Sequence, residues 1–145
     1  MRANAVLLFS ILALAAACDR LSYAEQEALA IGLGYAMEVK RVAEEFYVAE
    51  ERMPCKTDKY IDVDSLLRDK SKELSIEIVD CGRFVVTIRT PINGVADGDL
   101  LFVASPGDAD AGRPLDWKCF SAHHKRIERH TKGKCVYDPS FADPK

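Results

Sequence analysis

The residues of this chain with the most chemistry in them are crowded toward its C-terminal end. Cys119, His123, His124, His130 and Cys135 supply the thiolates and imidazoles that zinc prefers in a tetrahedral site. Their spacing fits no zinc motif, and a cysteine pair in an exported chain oxidises first. No metal site and no cofactor are therefore expected. Ser121 stands close to His123, but sequence neighbours seldom form a nucleophile and base pair, and no glycine-flanked serine elbow is present. No catalytic residue is assigned, which points to a binding or structural protein rather than an enzyme.

The same stretch is strongly cationic. Lys118, Lys125, Arg126, Arg129, Lys132 and Lys134 stand against Glu128 alone, with Phe120 and Tyr137 at the ends. Cations with flanking aromatic rings can hold a phosphate backbone, which makes nucleic acid a candidate partner. An acidic protein surface is another, and a solvated loop is the plain alternative. Lys125, Arg126, Arg129 and Lys132 are the expected partner-binding residues. An acidic run of Asp97, Asp99, Asp108, Asp110 and Asp116 precedes them, so the two surfaces can also attract each other. Net charge is only −3, which removes any global attraction to nucleic acid.

The first residues read as an export signal rather than as part of the fold. A short positive n-region, residues 1–4, is followed by an apolar run over 5–17, too short to span a bilayer core of about 30 Å. The run ends Leu14-Ala15-Ala16-Ala17-Cys18, which resembles the lipobox of bacterial lipoproteins, where the cysteine is acylated and becomes the new N-terminus. More than one acyl chain on Cys18 makes a lasting membrane anchor. The Asp19 that follows resembles an inner-membrane retention signal, placing the chain on the periplasmic face of that membrane. A plain signal peptide cut near Ala17 is the alternative. Residues 1–17 are thus read as signal and 18–145 as one domain.

Removing Cys18 leaves Cys55, Cys81, Cys119 and Cys135, an even set in an oxidising compartment. Three pairings are open. Cys55–Cys81 with Cys119–Cys135 is preferred, each loop being worth about 3 kcal/mol in the chain-entropy model, although entropy alone does not separate the pairings.

Positioning these groups falls to a long helix expected over residues 22–53. Ser22 and Glu25 form a capping box at its start. Tyr35, Val39, Val42, Phe46, Ala49 and Met53 recur at helical spacing and are the expected buried stripe. Pro54 is expected to end the helix, with Glu38, Arg41, Glu44, Glu45, Glu51 and Arg52 on its solvated side. Gly32 and Gly34 mark the N-terminal half as the weaker one, and a rod of this length is expected to overhang its domain. A loop with a short helical turn near 63–67 follows. Strands are then expected over 74–79, 84–88, 100–104 and 115–119, from period-two alternation and β-branched content. The fold class is α+β: a long N-terminal helix packed on a four-stranded antiparallel sheet spanning 74–119.

These segments also resemble a family. Ala43-Glu44-Glu45-Phe46-Tyr47 followed by a proline, Ile78-Val79-Asp80-Cys81-Gly82-Arg83-Phe84-Val85-Val86-Thr87, Gly98-Asp99-Leu100-Leu101-Phe102-Val103-Ala104-Ser105-Pro106 and Leu115-Asp116-Trp117-Lys118-Cys119 leading to Cys135 are similar, in that order, to the globular domain of type IV pilins. The resemblance implies a Cys119–Cys135 bond closing a C-terminal loop over 119–135. It also implies pilus subunits as partners, with pilus association and cell adhesion as the function. The long apolar filament helix of those pilins has no counterpart, because Val39-Lys40-Arg41 directly follows residues 34–38. A lipid on Cys18 would replace its membrane role. The alternative is a periplasmic, membrane-anchored binding module that stays outside the filament and grips an anionic partner with its basic loop.

Overall fold

The computed structural model describes residues 21–70, 72–89, 98–108, 110–121 and 125–142, with backbone alone at 98, 99, 125, 126 and 142. The expected signal segment, Cys18, Asp97, His123 and His124 lie outside the described residues.

Helix α1 spans Tyr23–Glu50. Ser22 Oγ accepts from the Glu25 N–H at 3.3 Å, and the Glu25 carboxylate accepts from the Ser22 N–H. This reciprocal cap satisfies two of the donors left over at a helix start. The helix stops before Pro54 is reached. Glu51 takes a left-handed conformation at φ 53°, and its N–H closes on the Tyr47 carbonyl at 2.9 Å.

The buried stripe is not the one expected. Of Tyr35, Val39, Val42, Phe46, Ala49 and Met53 only Val39 is buried. Ala28, Leu29, Gly32, Ala36, Val39 and Ala43 face the sheet instead. Most of these are small, and small side chains let a helix axis come close to strands. Gly32 marks the tightest approach: a Cβ there would lie 3.1 Å from Ile88 Cδ1 and Cγ1. The N-terminal half, expected to be the weaker, therefore carries the closest packing. Tyr35, Val42 and Phe46 lie half-buried on one flank, where Phe46 meets Tyr60 with ring centroids 5.9 Å apart. The solvated side holds Arg41 between Glu38 and Glu45, and Arg52 forks onto Asp58 at 2.8 and 2.9 Å.

After the short helix α2, Val63–Leu67, come β1 (Leu74–Asp80), β2 (Arg83–Ile88), β3 (Gly98–Pro106) and β4 (Leu115–Ser121). Each pairs antiparallel with its predecessor. Helix α3, Lys125–His130, then leads to β5, Cys135–Tyr137, which pairs parallel to β4. The sheet is therefore five-stranded and mixed, in the order β1-β2-β3-β4-β5, and the expected four-stranded antiparallel sheet is overturned. The missing strand is only three residues long, too short for an alternation pattern to register. Leu74, Ile76, Phe84, Val86, Ile88, Leu100, Phe102, Leu115 and Cys119 are among the buried residues of the sheet's helix-facing side.

Two disulfides are present, Cys55–Cys81 and Cys119–Cys135. The first ties the segment after α1 to the β1–β2 turn, where the Gly82 N–H also donates to the Pro54 carbonyl at 2.8 Å. The second joins β4 to β5.

Two expectations follow from this packing. A Cβ at Gly34 meets nothing within 4 Å, so Gly34→Ala should stabilise by up to about 1 kcal/mol through helix propensity. Gly32→Leu should cost about 1–3 kcal/mol or more by overpacking against Ile88, and denaturant unfolding with the disulfides intact measures both.

Burial holds the Tyr60 phenol proton up to about pH 12, while an unfolded chain releases a tyrosine proton near about pH 10. Between those values the folded state binds more protons than the unfolded, so stability falls as pH rises through the window. Tyr60→Phe should remove that alkaline slope and the latest component of the phenolate absorbance titration.

Candidate functional site

The groove with the most chemistry lies where α1 faces the disulfide-joined end of the sheet. Leu29, Leu33, Met37 and Lys40 follow one another at helical steps and form one wall. Phe102 of β3 and the Cys119–Cys135 bond form the floor. His130, Thr131, Lys132 and Lys134, from the turn between α3 and β5, form the other wall. The cavity holds about 520 Å³, within the usual range of small-ligand sites.

The turn is built by local hydrogen bonding. Helix α3 ends in a double closure, with the Gly133 N–H donating to the Glu128 carbonyl at 2.9 Å and the Lys132 N–H to the Arg129 carbonyl at 3.2 Å. That pattern places Lys132 in the left-handed region, φ 53°, where glycine is the usual occupant. Buried Thr131 locks the turn to β5: its hydroxyl donates to the Glu128 carbonyl at 3.2 Å and accepts from the Cys135 N–H at 3.1 Å. The Glu128 carboxylate accepts from the Tyr137 N–H at 3.2 Å. The one acid of this basic stretch is thus engaged in structure.

Lys40 is the inward cation. Its Nζ lies 4.6 Å from the Phe102 ring centroid and 5.8 Å from that of Trp117, within cation–π range. The rings form a cluster, Phe84 stacking on Phe102 at 4.8 Å and meeting Trp117 edge-on at 5.5 Å. Burial lowers the Lys40 pKa, and the charge of Glu44 partly opposes this. Glu44, expected to be only solvated, accepts from the Trp117 Nε1–H at 2.9 Å. Arg41, Arg52, Lys56, Lys70 and Arg113 are held in ion pairs. Among the described residues, Lys40, Lys118, Lys132 and Lys134 have no carboxylate within ion-pair distance.

Of the expected partner-binding residues, Lys132 lines the groove and Arg129 lies exposed at the end of α3. The side chains of Lys125 and Arg126 lie outside the described residues, although their backbone opens α3. Most of the expected loop is thus a short helix and a capped turn. The acidic run is used locally: Asp108 Oδ1 accepts from the Ala111 N–H at 3.1 Å, and Asp116 sits 3.9 Å from Arg113. Lys40, Leu33 and Met37 escaped the sequence reading, although their spacing with Leu29 was a usable signal. A second cavity of about 470 Å³ beside β1 is lined by Lys56, Tyr60, Ile61, Asp62, Ile76 and Glu77 among others. Lys56 and Glu77 pair at 3.4 Å there, so no one sign of charge dominates it.

No protein-family model, curated protein or solved structure matches the chain.

The left-handed position gives a direct check. Lys132→Gly removes a steric cost of about 1–2 kcal/mol, so the variant should unfold at higher denaturant concentration than the parent. It should also bind anions less well, so that stability and binding move in opposite directions.

Proposed function

We propose that this protein is a lipid-anchored, non-enzymatic interaction module of the bacterial cell envelope, tethered at Cys18, that binds an anionic partner at its disulfide-joined end. The observation that carries the reading is one of composition in space. Lys40, Lys132 and Lys134 converge on an apolar groove whose described lining contains no carboxylate. Arg129 lies nearby on α3, and the Cys119–Cys135 bond anchors the arrangement to the sheet. A surface of this sign attracts acidic groups over roughly a Debye length, about 8–10 Å at ordinary ionic strength. Lys40, Lys132 and Lys134, without an ion-pair partner among the described residues and set on an apolar floor, suit a partner that brings negative charge together with hydrocarbon.

A second reading is pilus association and cell adhesion as a type IV pilin-like subunit. The packing of long α1 across the sheet, beside a disulfide-joined C-terminal strand, favours it. Fractionating cells with and without assembled pili separates the two readings: a pilus subunit leaves with the sheared filaments, whereas an anchored module stays with the membrane.

For the anchor, intact mass of the mature protein should show an acylated chain beginning at Cys18, and Cys18→Ser should release the protein from membranes. For binding, retention on immobilised polyglutamate should weaken as salt rises. Replacing Lys125, Arg126, Arg129 and Lys132 together by alanine should weaken it roughly fourfold or more, given about 0.2–1 kcal/mol per exposed charge pair. Full retention by that variant at low salt would refute the reading of these cations as the partner surface.

A further inference from the structure

We propose that the groove between α1 and the α3–β5 turn binds a single-chain fatty carboxylate, its hydrocarbon lying along Leu29, Leu33 and Met37 and its carboxylate meeting the Lys40 ammonium. The inference deepens the reading of this groove as the site of an anionic partner.

The inventory of the lining decides the ligand class. Its apolar part is continuous, running from buried Leu29 through half-buried Leu33 to Met37, which is 64% exposed at the mouth. Met37 is also the adaptable side chain suited to covering a flexible chain. The polar part is dominated by the ammonium groups of Lys40, Lys132 and Lys134, with the His130 imidazole beside them. Thr131 is the neutral hydroxyl of the lining, and both its donor and an acceptor position are taken within the turn. The N–H groups of Lys132, Gly133 and Lys134 are likewise spent on Arg129, Glu128 and Thr131. The groove therefore offers little with which to read the hydroxyls of a sugar, the edge of a base or the backbone of a peptide. What remains is hydrocarbon contact and positive charge.

Lys40 supplies the reason for a carboxylate rather than a neutral amphiphile. It follows Leu29, Leu33 and Met37 on the same strip of α1, so the apolar path ends at an ammonium. That ammonium leans over aromatic rings; Glu44 attracts it from the next turn but accepts the Trp117 N–H instead of closing an ion pair. A partly desolvated charge with no ion-pair partner among the described residues gains more from an incoming anion than an exposed lysine would. One interior cation at the end of one apolar strip matches one negative head on one chain.

Trp117 is the chain's single tryptophan, and its place beside Lys40 makes it a native reporter. The full chain carrying Cys18→Ser is titrated without detergent, following Trp117 fluorescence and calorimetric heat. Dodecanoate should bind saturably at one site, while dodecanol and acetate, carrying the chain alone and the head alone, should each bind roughly tenfold more weakly or worse. Lys40→Met should weaken dodecanoate by a similar factor and leave dodecanol unchanged. Met37→Glu places a like charge at an exposed position and should lower dodecanoate affinity with an unaltered melting curve. Equal binding of dodecanol and dodecanoate, or undiminished dodecanoate affinity in both well-folded variants, would overturn the proposal. Polyglutamate retention is measured on the same sample: retention without dodecanoate binding defeats this inference alone, and loss of both defeats the anionic-partner reading as well.

Discussion

The close contact of α1 with β2 is the constraint on which the rest of the molecule depends. A helix carrying large residues along its central stripe would stand further from the strands. Here Gly32, Ala36, Val39 and Ala43 hold it close, near enough that Ile88 occupies the space a side chain at Gly32 would need. Because the centre of the interface is small, the larger residues of α1 are displaced to its two flanks. Tyr35, Val42 and Phe46 lie on one flank, where Phe46 meets Tyr60. Leu33, Met37 and Lys40 lie on the other, along β3 and the disulfide. The groove is therefore a consequence of how tightly the helix sits, since one of its walls is the flank that close packing pushes outward.

The two covalent links act where the hydrogen-bonded fold is thinnest. A strand of three residues forms few ladder bonds, and a parallel partner needs a crossover connection, usually of a dozen residues or more. The β4-to-β5 connection meets that demand with a six-residue helix and a capped turn, and Cys119–Cys135 joins a directly paired position of the two strands. Cys55–Cys81 does the comparable task for the exit of α1, where the chain must leave the helix and rejoin the hairpin. Holding the basic segment this way has an electrostatic result. Glu128, the acid of this segment, is turned toward the Tyr137 N–H, so the nearby Lys132 and Lys134 have no ion-pair partner among the described residues.

Much of the local structure was legible in the sequence, because local signals encode it. The capping box at Ser22 and Glu25, the helical turn near 63–67 and the β1–β2 hairpin all rest on neighbours within a few residues. The failures share a different cause. Tyr35, Val42 and Phe46 are bulkier than Gly32, Ala36 and Ala43, so a search for apolar periodicity selects the flank over the stripe that packs closest. Helix α3 is hidden because its charged residues read as a loop, and β5 because it is brief and its parallel partner precedes it by a whole crossover. The cationic character of the site could be read directly from Lys132 and Lys134. Its groove could not, since Lys40 and Phe102 come together only when helix and sheet are packed.

Local rules are broken on this side of the molecule, although Glu51, Lys59 and Arg68 elsewhere also take positive φ. Lys132 occupies a left-handed position better suited to glycine. Lys40 is partly desolvated against aromatic rings, with Glu44 attracting it but outside ion-pair distance. Ser121, at the end of β4, buries a hydroxyl without a partner among the described residues. The solvated side of α1 follows local preference instead: Arg41 is neutralised by Glu38 and Glu45 at ordinary helical spacing. Strain and unpaired polarity persist where surrounding structure holds them in place, and they tend to gather at functional sites. The helix–sheet contact and the Cys119–Cys135 bond provide that hold here, so the groove can keep an inward cation that a looser fold would turn out to water.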